Sequence, residues 1–225
     1  MTCKLRIAAI VLSICLLWQG MGLFALPTSA HQERLGDSDI VYSIDELKDW
    51  LDRHYKQGGK VSLGASIHVA EGESLSLFTV GSLAISTNDF GFYVGGSVTL
   101  GSDMTVTGYG TNMPLFDIAG GGVLMMNLSS DITIIATGPY ARALRLAEQA
   151  EAHFPISYLS CRISAPGWRS VAIESAAPLP LSHLLIDANG YGGRGVVSSE
   201  EVSLWLTKVD ARVQPIEAPS IDIDT

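Results

Sequence analysis

The chain has 225 residues, 47% of them hydrophobic and 16% charged, with 14 basic against 23 acidic side chains. The resulting balance of −9 argues against nucleic acid, whose phosphates demand a basic surface. The length suits one domain of moderate size or two small ones, and glycine spacing, cysteine number and hydrophobicity exclude collagen, disulfide-scaffold and disordered classes.

A mean hydropathy of +0.29 directs attention first to targeting segments. Residues 1–30 read as a secretory signal. Lys4 and Arg6 give a positive start, Ile7 to Leu17 run without charge, and Thr28-Ser29-Ala30 after Pro27 offer small residues for cleavage. An uncleaved anchor is the alternative, since Ile7 to Leu26 is nearly long enough to span a bilayer. Gln19, Gly20 and Gly22 interrupt that run and favour cleavage, so membrane contact is expected only through an uncleaved signal. Cys15 lacks the small residue that precedes a lipidated cysteine. Removing the segment leaves 12 basic and 23 acidic side chains, a balance of −11, with Cys161 as the one cysteine, so the mature chain folds without an internal disulfide. The expected location is secreted or cell-surface.

Residues 31–42 are mostly polar and read as a linker. A helix over 43–57 follows, opened by Ser43 with Glu46 three positions on, a pairing in which hydroxyl and carboxylate each satisfy an orphan backbone N–H. Ile44, Leu47, Leu51 and Tyr55 form its apolar stripe, and Gly58-Gly59 ends it.

From residue 60 the period shortens. Val61/Leu63, Ile67/Val69, Leu83/Ile85 and Phe92/Val94 alternate as in strands, punctuated by Gly, Ser, Asn and Asp. The segment Phe92-Tyr-Val-Gly-Gly-Ser-Val-Thr-Leu100 is similar to Phe116-Asp-Ile-Ala-Gly-Gly-Gly-Val-Leu124, and Leu144, Val171 and Val196 begin later, degraded copies. These starts lie 24, 28, 27 and 25 residues apart, with two further apolar runs inside each interval. Three short strands per repeat predict the coils of a parallel β-helix over 60–213. The sequence Tyr140 to Ala152 has helix propensity, but Leu144 and Leu146 keep the strand register of Phe116 and Ile118. Residues 214–225 read as an extended or disordered tail.

The Ser-x-x-Glu helix, Gly58-Gly59 and then Lys60-Val-Ser-Leu-Gly-Ala-Ser-Ile67 resemble the right-handed β-helix, pectate-lyase-like domains of Gram-positive secreted and cell-surface, adhesin-type proteins. The resemblance spans about residues 40–213 and rests on organisation. It implies an all-β, single-stranded right-handed parallel β-helix whose N-terminal amphipathic helix caps the first coil, and a place at the cell surface.

Adjacent coils of such a fold lie about 4.8 Å apart. The middle outward residues Tyr93, Asp117, Arg145, Ala172 and Val197 would then form a ladder on one outer face, with Glu148 and Glu174 at the strand ends. Tyr93, Asp117 and Arg145, together with Trp168 at a coil corner, make a candidate patch for a glycan or cell-surface protein; a simple cross-coil ion pair is the more economical account of the charges, since such pairs are common on surfaces. The sequence offers no Asp pair expected on neighbouring coils, which argues against a calcium-dependent lyase. His31, His54, His68, His153 and His183 are scattered, so no metal site is expected. Cys161 alternates inward with Leu159 and Ile163, and the glycines at 190, 192, 193 and 195 read as turn residues lacking the Lys-Ser/Thr of a phosphate loop. No cofactor is expected. The reading is a non-catalytic, structural or adhesive module, with a polysaccharide lyase or glycoside hydrolase as one alternative and the N-terminal part of a larger surface protein as another.

Overall fold

The computed structural model describes residues 39–101, 103–127, 131–154, 161–205, 207–211 and 221–222, so the signal at 1–30 and most of the 31–42 linker lie outside the described residues. The end of that linker is structured: Asp39–Val41 is a strand, β1. The helix α1 (Ile44–His54) follows, capped by Ser43, whose side chain accepts from the Glu46 backbone N–H, while the Glu46 carboxylate accepts from the Tyr42 N–H at 2.8 Å. The helix stops three residues short of the predicted end, where Gly58 takes a left-handed φ of 70° and its N–H bonds the His54 carbonyl.

Strands then come in threes. The first coil is β2 (Gly59–Leu63), β3 (Ile67–Val69) and β4 (Ser74–Leu77); the second is β5 (Leu83–Asn88), β6 (Phe92–Val94) and β7 (Ser97–Leu100). The third and fourth are β8 (Met104–Gly108), β9 (Phe116–Ile118), β10 (Val123–Met126), then β11 (Ile132–Ala136), β12 (Arg142–Leu146), β13 (Glu151–His153). The fifth and sixth are β14 (Cys161–Ser164), β15 (Val171–Ser175), β16 (Leu179–Ser182), then β17 (Leu184–Ala188), β18 (Arg194–Ser198), β19 (Val202–Trp205). A seventh begins with β20 (Lys208–Ala211) and β21 (Ile221–Asp222), the latter lying in the predicted tail.

Every described pairing is parallel and joins one coil to the next. The first strands of the coils, with β1, form an eight-stranded sheet (face 1) and the second strands a seven-stranded sheet (face 2). The third strands form face 3, four strands to β13 and then a separate pair, β16 with β19. The protein is thus an all-β parallel solenoid of about seven turns with one short helix near its start.

Short strands suffice because each coil is buried by its neighbours rather than by a second layer. Inward residues stack in rows: Ile67, Phe92, Phe116, Leu144, Ile173 and Val196 on face 2, and Val61, Ile85, Val106, Ile134, Ile163 and Ile186 on face 1. All are essentially inaccessible. The rings of Phe92 and Phe116 lie 4.9 Å apart and 10° from parallel, the coil spacing written in side chains. The predicted register is corrected in one place. Ile173, not Val171, stacks on Leu144, so 29 residues separate these two, and Val171 lies opposite Arg142. A shift of two residues preserves the inward face, so hydrophobicity alone did not reveal it.

Ser175 occupies an inward position at the end of β15, where its hydroxyl donates to the Ala177 carbonyl at 2.7 Å and so satisfies itself locally. Cys161 is also inward, as predicted, with Sγ 3.4 Å from the Met126 sulfur, and burial pushes its thiol up to about 12. With residues 1–30 removed, so that Cys161 is the one thiol, native protein is therefore expected to resist a reagent such as DTNB at pH 8 and to react fully once unfolded; rapid native labelling would contradict this packing.

The helix packs on β1, β3 and β4, burying Leu47, Trp50 and Leu51 at the first coil. Trp50 Nε1 donates to Asp39 at 2.6 Å, and Lys48 reaches Glu73 at 2.8 Å. The hydrogen bond from Lys48 and one from the Ala70 backbone hold the Glu73 carboxyl below its ordinary value, so this tie is present above the usual carboxylate range and is lost as pH falls through the lowered pKa. At the other end Leu204 is 40% exposed, whereas Leu181, its partner one coil earlier, is 1% exposed. Among the described residues nothing stacks beyond Leu204, and an inward residue needs a coil on both sides to be covered.

Candidate functional site

On face 2 the outward residues follow the same register as the inward ones. His68, Tyr93, Asp117, Arg145, Glu174 and Val197 stand side by side on six successive coils. Tyr93, Asp117 and Arg145 therefore share one ladder, as the repeat alignment predicted. Ala172 does not: it is buried, and the register shift puts Glu174 in its place. Glu148 is exposed in the turn after β12.

The charges on this ladder are engaged with one another. Arg145 donates from Nε and Nη2 to the two Asp117 oxygens, both at 2.8 Å, a bidentate fork. Arg142 Nε lies 2.5 Å from Glu174. Toward the helix end, His68 and Tyr93 rings sit 5.5 Å apart. The ladder is thus a neutralised ionic strip next to two rings. Because its arginines are about half exposed, the pairs contribute only about 1 kcal/mol or less each.

Trp168 is separate from that ladder. It lies in the turn between β14 and β15, at the corner where face 1 passes into face 2. Tyr140, in the corresponding turn one coil earlier, precedes Arg145 by five positions, roughly 16 Å along an extended strand. The structure joins Trp168 instead to residues the sequence reading passed over. Tyr109, Tyr140, Trp168 and Tyr191 occupy this corner on four successive coils, each between 43% and 53% exposed. The turns are tied by backbone bonds from Gly138 N–H to the Tyr109 carbonyl, Tyr140 N–H to Trp168 and Arg169 N–H to Tyr191. Tyr140 and Trp168 meet edge-to-face at 4.8 Å, and the Arg169 guanidinium lies 5.0 Å from the Trp168 ring centroid.

Glycine explains why these turns can stack so closely. A Cβ at Gly167 would strike the Gly138 carbonyl oxygen, and one at Gly190 would strike that of Gly167. The signal was present in the sequence as Gly108-Tyr109, Gly138-Pro139-Tyr140, Gly167-Trp168 and Gly190-Tyr191, a glycine just ahead of an aromatic in four intervals.

Face 1 carries an open groove of about 550 Å³ whose lining includes Lys60, Thr105, Thr133, Asp103 and Asp131. The Asp131 N–H donates to Asp103 Oδ1 at 3.1 Å from the next coil. Further along, Asp187 of β17 stands directly opposite Asp210 of β20. The expectation of no aspartate pair on neighbouring coils is therefore corrected twice: Asp103 and Asp131 directly precede the paired Met104 and Ile132, and Asp187 and Asp210 lie in the last, degraded coils. Asp187 is largely buried, 2.5 Å from Arg162, and its Oδ1 has no hydrogen-bond partner. Among the described residues no three His, Cys, Asp or Glu side chains converge as a metal site, and no helix is long and apolar enough to cross a membrane.

Trp50 lies under the cap, as its position in the helix suggested. Trp205 is exposed and meets His183 edge-on at 5.1 Å. Asp45, Asp49 and Asp52 lie on the exposed face of α1.

No family model, curated protein or solved structure matches this chain. The solenoid is consequently established by its own strand pairing, and the pectate-lyase-like and adhesin resemblance has no support from relatives.

Proposed function

We propose that this protein is an exported, non-catalytic β-helix module that binds glycans at the cell surface through its outer corners and faces. The observation that carries the reading is the row of four half-exposed aromatics on successive coils. Scattered exposed rings are ordinary on protein surfaces, whereas four at one corner of successive coils, two of them in contact, suit an interaction surface. Aromatic faces are electron-rich and pair with the polarised C–H faces of pyranose rings. Export and surface location rest on the signal-like residues 1–30, and the adhesive role on the organisation shared with surface β-helices.

A glycan array and a cell-wall pull-down test this. Trp168→Ala is expected to weaken binding about three- to tenfold, the size of losing one well-placed aromatic contact. Trp205→Ala, a ring exposed elsewhere, is expected to leave it unchanged. Equal binding by wild type and Trp168→Ala would overturn the assignment to this corner.

The Asp187–Asp210 pair favours a second reading, a polysaccharide hydrolase or lyase, because two carboxylates across neighbouring coils are the pair that glycoside hydrolysis uses. Incubation with uronic-acid polymers, with and without calcium, discriminates: new reducing ends alone mark a hydrolase and unsaturated ends a lyase, and loss of either in Asp210→Asn would establish catalysis.

A further inference from the structure

Resting on the glycan-binding reading, we infer that the ligand of the aromatic corner carries a tetrahedral anion, a sulfate or phosphate ester, held by Arg169 and Arg194 beside Trp168. Three observations converge on this. First, charge is sorted by corner. The turns that hold the four aromatics, residues 109–115, 137–141, 165–170 and 189–193, contain no Asp or Glu. Asp89, of the second coil, is the one acid in a described turn of this corner. The turns at the other two corners contain no Lys or Arg but do carry acids, Asp103 and Asp131 at one, Glu71, Glu73 and Glu148 at the other. In a chain of net charge −9, an anion therefore meets local cations here and carboxylates elsewhere.

Second, two arginines differ from their neighbours. Arg142, Arg145 and Arg162 are each paired with a carboxylate, on Glu174, Asp117 and Asp187 respectively. Arg194 opens β18 as Arg142 opens β12, both in register with Val171, yet it forms no ion pair among the described residues. Arg169 is exposed and has its guanidinium over the Trp168 ring, 5.0 Å from the centroid. Its Cγ runs against Gly192, two positions before Arg194, where a Cβ would come within 3.1 Å. The Arg169 side chain thus borders both the indole and the turn that leads into Arg194. A guanidinium laid on a ring keeps its N–H edge for hydrogen bonds. One arginine fork already matches a carboxylate, whereas a sulfate or phosphate ester presents three oxygens and suits two.

Third, Arg169 is kept in a backbone conformation that side chains resist. Its φ of 50° lies in the left-handed region, and Gly192, in register with it one coil later, makes the same step at φ 66° with no side chain at all. The turn is also pinned from inside, since the buried Ser170 hydroxyl meets the Ala165 carbonyl and, at 2.6 Å, that of Gly167. An arginine retained at a strained position on a fixed turn points to a contact made by its side chain.

The test uses the full chain and isothermal titration with β-1,4-linked glucose and N-acetylglucosamine tetramers, each neutral, 6-sulfated and 6-phosphorylated, plus the C6-carboxylate form of the glucose tetramer. At least one ester is expected to bind about tenfold or more tighter than its neutral parent, and to weaken as salt is raised. The sulfated and phosphorylated arms distinguish the two esters. Arg194→Gln and Arg169→Gln are each expected to remove most of that advantage, and Arg194→Lys, which keeps the charge but not the fork, to retain part of it. Esters that bind no better than the neutral parent or the carboxylate form, or an advantage that survives both glutamine substitutions, would overturn the anion site and leave glycan binding standing. Ester binding that Trp168→Ala leaves unchanged would overturn the stacking reading and leave the anion site standing. Absence of binding to every sugar would overturn both.

Discussion

Phe116→Ala is expected to destabilise the solenoid by about 3–5 kcal/mol, among the largest effects of any single substitution in this chain. Phe116 is fully buried in β9, in the interior row of face 2, with Phe92 on one side at 4.9 Å and Leu144 on the other. Truncation removes the transfer energy of a phenyl ring and opens a cavity. The cavity cannot collapse readily, because β9 is held by backbone bonds to β6 and β12 and the coil spacing is fixed by those bonds. Coils in a solenoid contact only their neighbours, so weakening one central coil uncouples the two halves. Equilibrium denaturation would show both a lower midpoint and a broader transition. Phe116→Leu is expected to lose less than half as much, and a loss below about 1 kcal/mol for Phe116→Ala would mean the lumen relaxes far more than its packing implies.

Trp50→Ala is expected to cost a similar amount, about 3–5 kcal/mol, but to act at one end. Trp50 is the largest fully buried side chain, stacked on His54 at 4.1 Å and donating to Asp39 at 2.6 Å. Its loss removes the contact that holds α1 to the solenoid and leaves the β1 carboxylate without the indole donor. The first coil then exposes apolar lumen and unpaired strand groups, the features that drive edge-to-edge association. Hydrogen exchange should accelerate in β1, β2 and β3 while β14 to β18 stay protected, and light scattering should report new oligomers. Uniform acceleration along the chain would refute the cap as a local element. Trp50→Phe, which keeps most of the burial and loses the hydrogen bond, should cost about 1 kcal/mol.

The sequence carried much of this architecture for a simple reason. In a stacked coil each strand is short, its inward residues are apolar and its turns are polar or glycine, so the repeat is printed directly in the chain. Phe92/Val94, Phe116/Ile118 and Leu144/Leu146 aligned correctly because β6, β9 and β12 share the same alternating inward pattern. Val171 misaligned because β15 brings three consecutive buried residues, Val171, Ala172 and Ile173, and a shift of two among apolar residues leaves the pattern intact. Tyr93, Asp117 and Arg145 were legible as a ladder for the same reason their inward neighbours were.

The corner column was not read, although its glycine–aromatic pairs are in the sequence, because turns differ in length. Seven residues connect β8 to β9, five connect β11 to β12, six connect β14 to β15 and five connect β17 to β18. Only stacking of the coils shows that Tyr109, Tyr140, Trp168 and Tyr191 lie at one corner, where Tyr140 and Trp168 meet. The Asp187–Asp210 pair was hidden likewise, since Asp210 belongs to a strand whose alignment the degraded last repeats did not supply.

By itself, then, the sequence determined the things that depend on period: a signal-like start, a capped amphipathic helix, and coils of three short strands with an apolar lumen. Tertiary structure decided what depends on register between coils. It placed Glu174 rather than Ala172 beside Arg145, neutralised the ladder in pairs, moved Trp168 out of that ladder, and gathered four aromatics at one edge. The physical reason is that inward positions answer to hydrophobic burial, which any two-residue shift preserves, whereas outward neighbours are chosen by backbone hydrogen bonds between coils, which no single strand encodes.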